Sequence, residues 1–176
     1  MATKINSRKK GAKGENRARF LMEAWTSKKW ARVPASGGLN WHNSISSGDI
    51  ICVTEGHYCP FTIEVKNYGE INFNHLFYLP KCDILKFWDQ AHRDAQRVNK
   101  VPLLMMRYDR LPGDFFFVVI PRTIYNRFFR EYMTDEDVRF VSENFGIAMI
   151  SSTAFFKVPY KEIRKPITKY LKNEKG

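Results

Sequence analysis

The stretch Phe61-Thr62-Ile63-Glu64-Val65-Lys66 restricts this chain more than any other. Its aromatic and β-branched residues read as a strand, yet an acid and a base stand two positions apart within it. Side chains alternate along a strand, so Glu64 and Lys66 share one face while Ile63 and Val65 occupy the other. A charged pair on an otherwise apolar strand is costly unless it binds something. A second acid stands nearby. Asp49, in Gly48-Asp49-Ile50, opens another apolar strand, Ile50-Ile51-Cys52-Val53.

These residue types suit a divalent metal and a phosphodiester. Phosphodiester hydrolysis needs a hydroxide at neutral pH and a charge clamp on the crowded transition state. Hard cations such as Mg²⁺ supply both and prefer carboxylate oxygens and water. Asp49 and Glu64 are the expected metal ligands, with the carbonyl of Val65 as a third. Lys66 is expected to orient the attacking water or neutralise the scissile phosphate. A Glu-x-Lys pair alone is commonly a solvated pair on an exposed sheet face; the upstream Gly-Asp, the strand context and a third acid favour a site. That third acid is Glu15. The spacing of Ala18, Leu21, Met22 and Trp25 predicts a helix over 14–28 with a buried stripe. Glu15, one turn ahead of Ala18, projects from its start on the inward side, although acids in a first turn also simply offset the helix dipole.

Taken together, Lys10-Gly11-Ala12-Lys13-Gly14-Glu15-Asn16-Arg17, Gly48-Asp49-Ile50-Ile51 and Ile63-Glu64-Val65-Lys66 resemble the archaeal-type Holliday junction resolvases of the PD-(D/E)XK nuclease superfamily. The similarity continues through Val101-Pro102-Leu103-Leu104-Met105-Met106-Arg107 and Phe115-Phe116-Phe117-Val118-Val119-Ile120-Pro121, covering residues 9–130. The resemblance implies an α/β, restriction-endonuclease-like core with a mixed central β-sheet flanked by helices. It implies Glu15, Asp49 and Glu64 as metal-site acids, Lys66 as the catalytic lysine, and a contribution from Ser36 in Ala35-Ser36-Gly37-Gly38. The implied cofactor is Mg²⁺, with Mn²⁺ able to substitute. The implied substrate is branched double-stranded DNA, a four-way junction resolved by paired symmetric nicks that leave 5′-phosphate ends. Two symmetric cuts call for a homodimer.

Three departures stand out. Gly48 replaces the usual proline, a change of little consequence if the acid carries the chemistry. The connection from Ser36 to Asp49 is long and includes Trp41 and His42, and the chain beyond residue 121 exceeds what the core needs. Two other classes remain open: another nuclease on this core (flap, repair or restriction type), which would share every catalytic residue, and a non-catalytic DNA-binding protein. The latter has no need of the acid–acid–lysine set.

The net charge of +11 sits mainly at the ends. Residues 1–13 carry Lys4, Arg8, Lys9, Lys10 and Lys13 and no acid, and residues 157–176 carry seven basic residues against two acids. Basic ends around a near-neutral centre suit phosphate contacts that position a polyanion without reading its bases. The chain is therefore expected to divide into a basic N-terminal arm (1–13), a nuclease domain (14–156) and a basic C-terminal tail (157–176). Arg8, Lys9, Lys10, Lys13, Lys66 and Gln90 are the candidate DNA contacts. No apolar run approaches a membrane span and the N-terminus lacks a signal-peptide pattern. A cytoplasmic protein is expected, in the host cytoplasm if phage-encoded. Cys52, Cys59 and Cys82 lack paired metal spacing and read as reduced thiols, so a zinc site built on Cys52, His57 and Cys59 is not expected.

The remaining segments read as scaffold. After Pro80, residues 81–98 predict a helix with Ile84, Leu85, Trp88, Ala91 and Ala95 buried; Gln90, His92 and Arg93 lie off much of that stripe. Residues 101–108 and 114–120 predict strands joined at Leu111-Pro112-Gly113, and Pro121 opens a short helix to Arg130. Thr134-Asp135-Glu136-Asp137 reads as a helix N-cap followed by dipole-favourable acids, rather than as a metal cluster.

Overall fold

A computed structural model of the protein describes residues 3–33, 47–79 and 81–173, with side chains from residue 8 onward. Ser36, Trp41, His42 and Pro80 lie outside the described residues. The first helix, α1 (Thr3–Thr26), already runs through most of the stretch expected to be a separate arm. Its apolar stripe is as expected: Ala18 and Met22 are fully buried, and Leu21 and Trp25 pack beside them. Three strands follow, β1 (Trp30–Arg32), β2 (Ile50–Cys52) and β3 (Phe61–Tyr68). A four-residue helix α2 (His75–Tyr78) and the long α3 (Asp83–Arg97) lead to β4 (Val101–Tyr108) and β5 (Phe117–Pro121). Then come α4 (Arg122–Phe128), a 3₁₀ turn, β6 (Val138–Ser142), β7 (Ile147–Ser151), α5 (Ser152–Lys157) and α6 (Tyr160–Asn173).

Among the described residues the strands form one seven-stranded sheet in the order β1-β2-β3-β4-β5-β7-β6. Only β3 and β4 are parallel, with Glu64 opposite Leu104 and Lys66 opposite Met106; α3 is the crossover between them. The other pairs are antiparallel. Strand alternation sends Ile63, Val65, Leu103, Met105, Val118 and Ile150 to one core, shared with α1, α4, α5 and α6. It sends Leu104, Met106, Val119 and Met149 to the other, where Ile84, Trp88 and Ala91 of α3 cover them. The protein is thus the expected mixed sheet between helical layers. Among the described residues no helix is long and apolar enough to cross a membrane.

Two expectations about the later chain change. Thr134 does not cap a helix. Its amide and hydroxyl both donate to Asp137 Oδ2 at 3.1 Å, closing a turn that leads into β6. The short side chains satisfy the local backbone in a turn as readily as at a helix start. The basic C-terminal stretch is not a loose tail either: α6 buries Tyr160, Ile163 and Ile167 in the larger core while Lys161, Lys165 and Lys169 face outward. The extra length beyond residue 121 thus provides two strands at one side of the sheet and helices that close one face.

Candidate active site

Asp49 is placed by backbone on both sides. Its amide donates to Ile63 O at 2.8 Å, and its carbonyl accepts from Val33 N at 2.9 Å. Strand β2 pairs with β3 only at Ile50–Ile63, so the next inward amide of β3 lacks a ladder partner. The Asp49 carboxylate takes that place: Val65 N donates to Asp49 Oδ2 at 2.7 Å. A backbone amide that would otherwise be left unpaired thereby fixes an acid beside Glu64. Gly48 has a definite part in this. It sits at φ +92°, and a Cβ there would lie 2.5 Å from Ile63 O, the oxygen that holds Asp49. The glycine is therefore of real consequence, because proline, with φ near −65°, does not fit this turn.

Glu64 is almost fully buried and Lys66 half-buried. Lys66 Nζ lies 2.7 Å from Glu64 Oε1, donates to Gln90 Oε1 of α3 at 3.0 Å, and sits 5.4 Å from the centre of the Phe87 ring. Of the off-stripe residues of α3, Gln90 thus reaches the site through the lysine. Burial pulls the Lys66 pKa down, but the hydrogen bond and charge of Glu64, with the charge of Asp49, outweigh it and leave the pKa raised. Burial raises the Glu64 pKa, partly offset by Lys66, with Asp94 and Glu15 adding repulsion. Asp49 is the extreme case. Burial first, then the charge of Glu64, push it up to about 7 despite the opposing Val65 amide.

Two buried carboxylates whose pKa values are both raised, with Lys66 as the cation paired to Glu64, form a donor set short of positive charge. Hard oxygen ligands in that state fit a divalent cation, which would relieve the repulsion. Thr62, on the same face of β3, adds a buried hydroxyl without a hydrogen-bond partner among the described residues.

Glu15 comes within electrostatic reach of both acids but is not joined to them. Its carboxylate is held by Arg32 Nε of β1 at 2.6 Å. Among the described residues no three His, Cys, Asp or Glu side chains form a ready cluster. Helix α1 approaches β3 at Gly14, where a Cβ would meet Asn67 Cβ at 2.6 Å, and Asn67 Nδ2 donates to Lys10 O at 2.7 Å. The Lys10 ammonium is ion-paired with Asp109, while Arg8, Lys9 and Lys13 are exposed. Arg32 and Phe87 were not singled out from sequence. Arg32 is signalled only by lying in a short strand ahead of the Asp49 strand, and Phe87 by standing one helical turn before Gln90. The other titratable cluster is closed: Cys59 is buried, its thiol pushed up to about 11 by burial, and His57 Nε2 lies 3.0 Å from Tyr160 Oη.

Comparison with known proteins agrees with this core. A family model described as "Phage putative PDDEXK endonuclease" matches residues 6–165, a span that includes Glu15, Asp49, Glu64 and Lys66. Protein D14 of Escherichia phage T5 is 30% identical over 107 residues, covering 60% of this chain and 67% of D14.

Proposed function

Since the chain belongs to the phage PDDEXK endonuclease family, we propose that it is a Mg²⁺-dependent endonuclease that resolves branched double-stranded DNA, four-way junctions in particular. Asp49, Glu64 and the Val65 carbonyl would hold the cation, with Glu15 a further acid for it if freed from Arg32, and Mn²⁺ would substitute for Mg²⁺. The observation that carries the reading is Asp49 fixed on the Val65 amide beside the Glu64–Lys66 pair. A cation held there supplies an acidified water and a counter-charge for the phosphoryl oxygens.

The chain's own groups do the rest. Lys66, steadied by Gln90, is placed to orient the attacking water or to face a non-bridging phosphate oxygen as charge develops. Water adds to phosphorus, giving up a proton to solvent, and the P–O3′ bond breaks. The 3′ oxygen leaves with a proton from solvent, giving a 3′-hydroxyl and a 5′-phosphate. Arg8, Lys9 and Lys13, exposed on α1, track the duplex backbone, with Ser36 contributing from the segment before Asp49. The preference for four-way junctions is supported by the resemblance, the two basic ends support contact with any DNA backbone, and the protein acts as a homodimer in the host cytoplasm.

The test is cleavage of a labelled four-way junction with Mg²⁺, beside linear duplex, flap and single strand, with Glu64→Gln protein and EDTA as controls. Paired symmetric nicks on the junction are expected. Cutting of flap or duplex in preference would replace the junction with another substrate. Tight binding with no metal-dependent cutting would overturn the enzyme.

A further inference from the structure

The alternation that aligns Glu64 with Lys66 continues one step to Tyr68. Tyr68 is 43% exposed. Its ring lies almost parallel to Phe87 of α3, with centroids 5.1 Å apart and planes at 17°. Phe87 is also the ring beneath Lys66 Nζ, so an aromatic surface begins where the candidate catalytic lysine ends. The two rings line a cleft of about 350 Å³ that Asn72, His75, Glu70 and Asp83 also border.

Three features select what the cleft can take. The exposed aromatic face matches a flat π-system, and base–aromatic stacking tolerates any sequence because every base has a π-face. Glu70, beside an Asp83 already paired with Lys86 at 3.0 Å, disfavours a phosphate but not an uncharged ring bearing amino groups. Asn72 Nδ2 bonds His75 Nε2 at 2.9 Å and Asn72 Oδ1 accepts from Asn74 N at 3.1 Å, which leaves the second amide hydrogen of Asn72 for the edge of such a ring. We propose that this cleft receives one unstacked nucleobase of the DNA, laid on Tyr68, next to the phosphodiester presented to Lys66. Bases of a continuous duplex are stacked between neighbours; those at a branch point, flap or mismatch are the ones that can leave at small cost. The cleft therefore selects distorted DNA. This deepens the proposed nuclease function and rests on it for the neighbouring phosphodiester, whereas capture of the base can be read without cutting.

The experiment places 5-iododeoxyuridine at each nucleotide flanking the branch of a four-way junction and irradiates the complex with Ca²⁺ replacing Mg²⁺. The full chain is compared with Tyr68→Ala and Tyr68→Phe, and cleavage in Mg²⁺ is assayed in parallel. We expect one position to crosslink to Tyr68 or Phe87 in the junction and not in continuous duplex. Tyr68→Ala should lose that crosslink and lower the junction-to-duplex cleavage ratio about thirtyfold, as the loss of one base–aromatic stack implies, while Tyr68→Phe keeps both. Crosslinks only elsewhere, or a Tyr68→Ala ratio equal to that of the unaltered chain, would overturn the cleft and leave the nuclease standing. A Tyr68-dependent crosslink in a protein that cuts no DNA would keep the cleft and overturn the nuclease.

Discussion

Among the described residues Asp49 is the carboxyl pushed furthest up, and the sign of that shift sets a pH dependence. Its ordinary value is 3.8 and its folded value about 7. Between those limits the native state keeps a proton that the unfolded chain has released, so stability falls as pH rises through that window and stays reduced above it. Asp49→Asn should remove this penalty. In EDTA at pH 8 the variant should melt above the unaltered protein by about 2–8 °C, the shift that 1–2 kcal/mol gives a domain of this size. Added Mg²⁺ should raise the melting temperature of the unaltered protein and not of the variant. Equal EDTA melting curves for the two proteins across pH 5–8 would show that Asp49 is not under strain. Gly48 gives a second residue-scale expectation. A side chain there meets both a positive φ and the Ile63 carbonyl, so Gly48→Ala should cost about 1–2 kcal/mol. It should also lower cleavage more than its melting temperature explains, because the displaced oxygen is the one that places Asp49. Cleavage that tracks thermal stability alone would deny the turn that role.

At the scale of elements, α6 separates what could be read in advance from what could not. Five of the seven basic residues of 157–176 lie in it, so charge masks the helical spacing of Tyr160, Ile163 and Ile167, and Pro166 interrupts the reading further. The packing that overrides both is long-range: Trp25 of α1 donates to Val158 O at 2.6 Å and lies 4.8 Å, centroid to centroid, from Tyr160. Ile167→Ala should therefore destabilise the fold by about 2–5 kcal/mol. Changing Lys161, Lys165 and Lys169 together to Gln should leave the melting temperature unchanged and reduce the salt slope of DNA binding by about 2–3. A tail loose in solution would give the opposite pattern for Ile167. By contrast, β3, β4 and α3 were legible because their own residues carry the period. Asp49, Glu64 and Lys66 were legible as a set because two neighbouring segments hold all three. The Lys66–Gln90 bond and the Tyr68–Phe87 stack depend on where the crossover helix lands. The Arg32–Glu15 pair depends on how β1 meets α1. No local pattern reports either.

At the scale of the whole molecule, one chain offers one candidate site, while a four-way junction resolved into two duplexes needs a cut in each of two opposed strands. A closed two-fold dimer provides two sites in the orientation that the symmetry of the junction demands. The consequence can be measured by mixing active chains with Glu64→Gln chains before adding a cruciform plasmid. If resolution within one binding event needs two active subunits, the linear product falls as the square of the active fraction, to about a quarter at equal mixing. The nicked circle, made by dimers with one active subunit, rises correspondingly. A monomer that cuts independently would give a linear yield that follows active protein to the first power at limiting enzyme, with no excess of nicked circle. A square dependence on the cruciform alone, and not on a plasmid lacking it, would tie the dimer to branched DNA, since basic ends that contact only phosphates would hold any duplex and only a two-fold substrate would engage both sites at once.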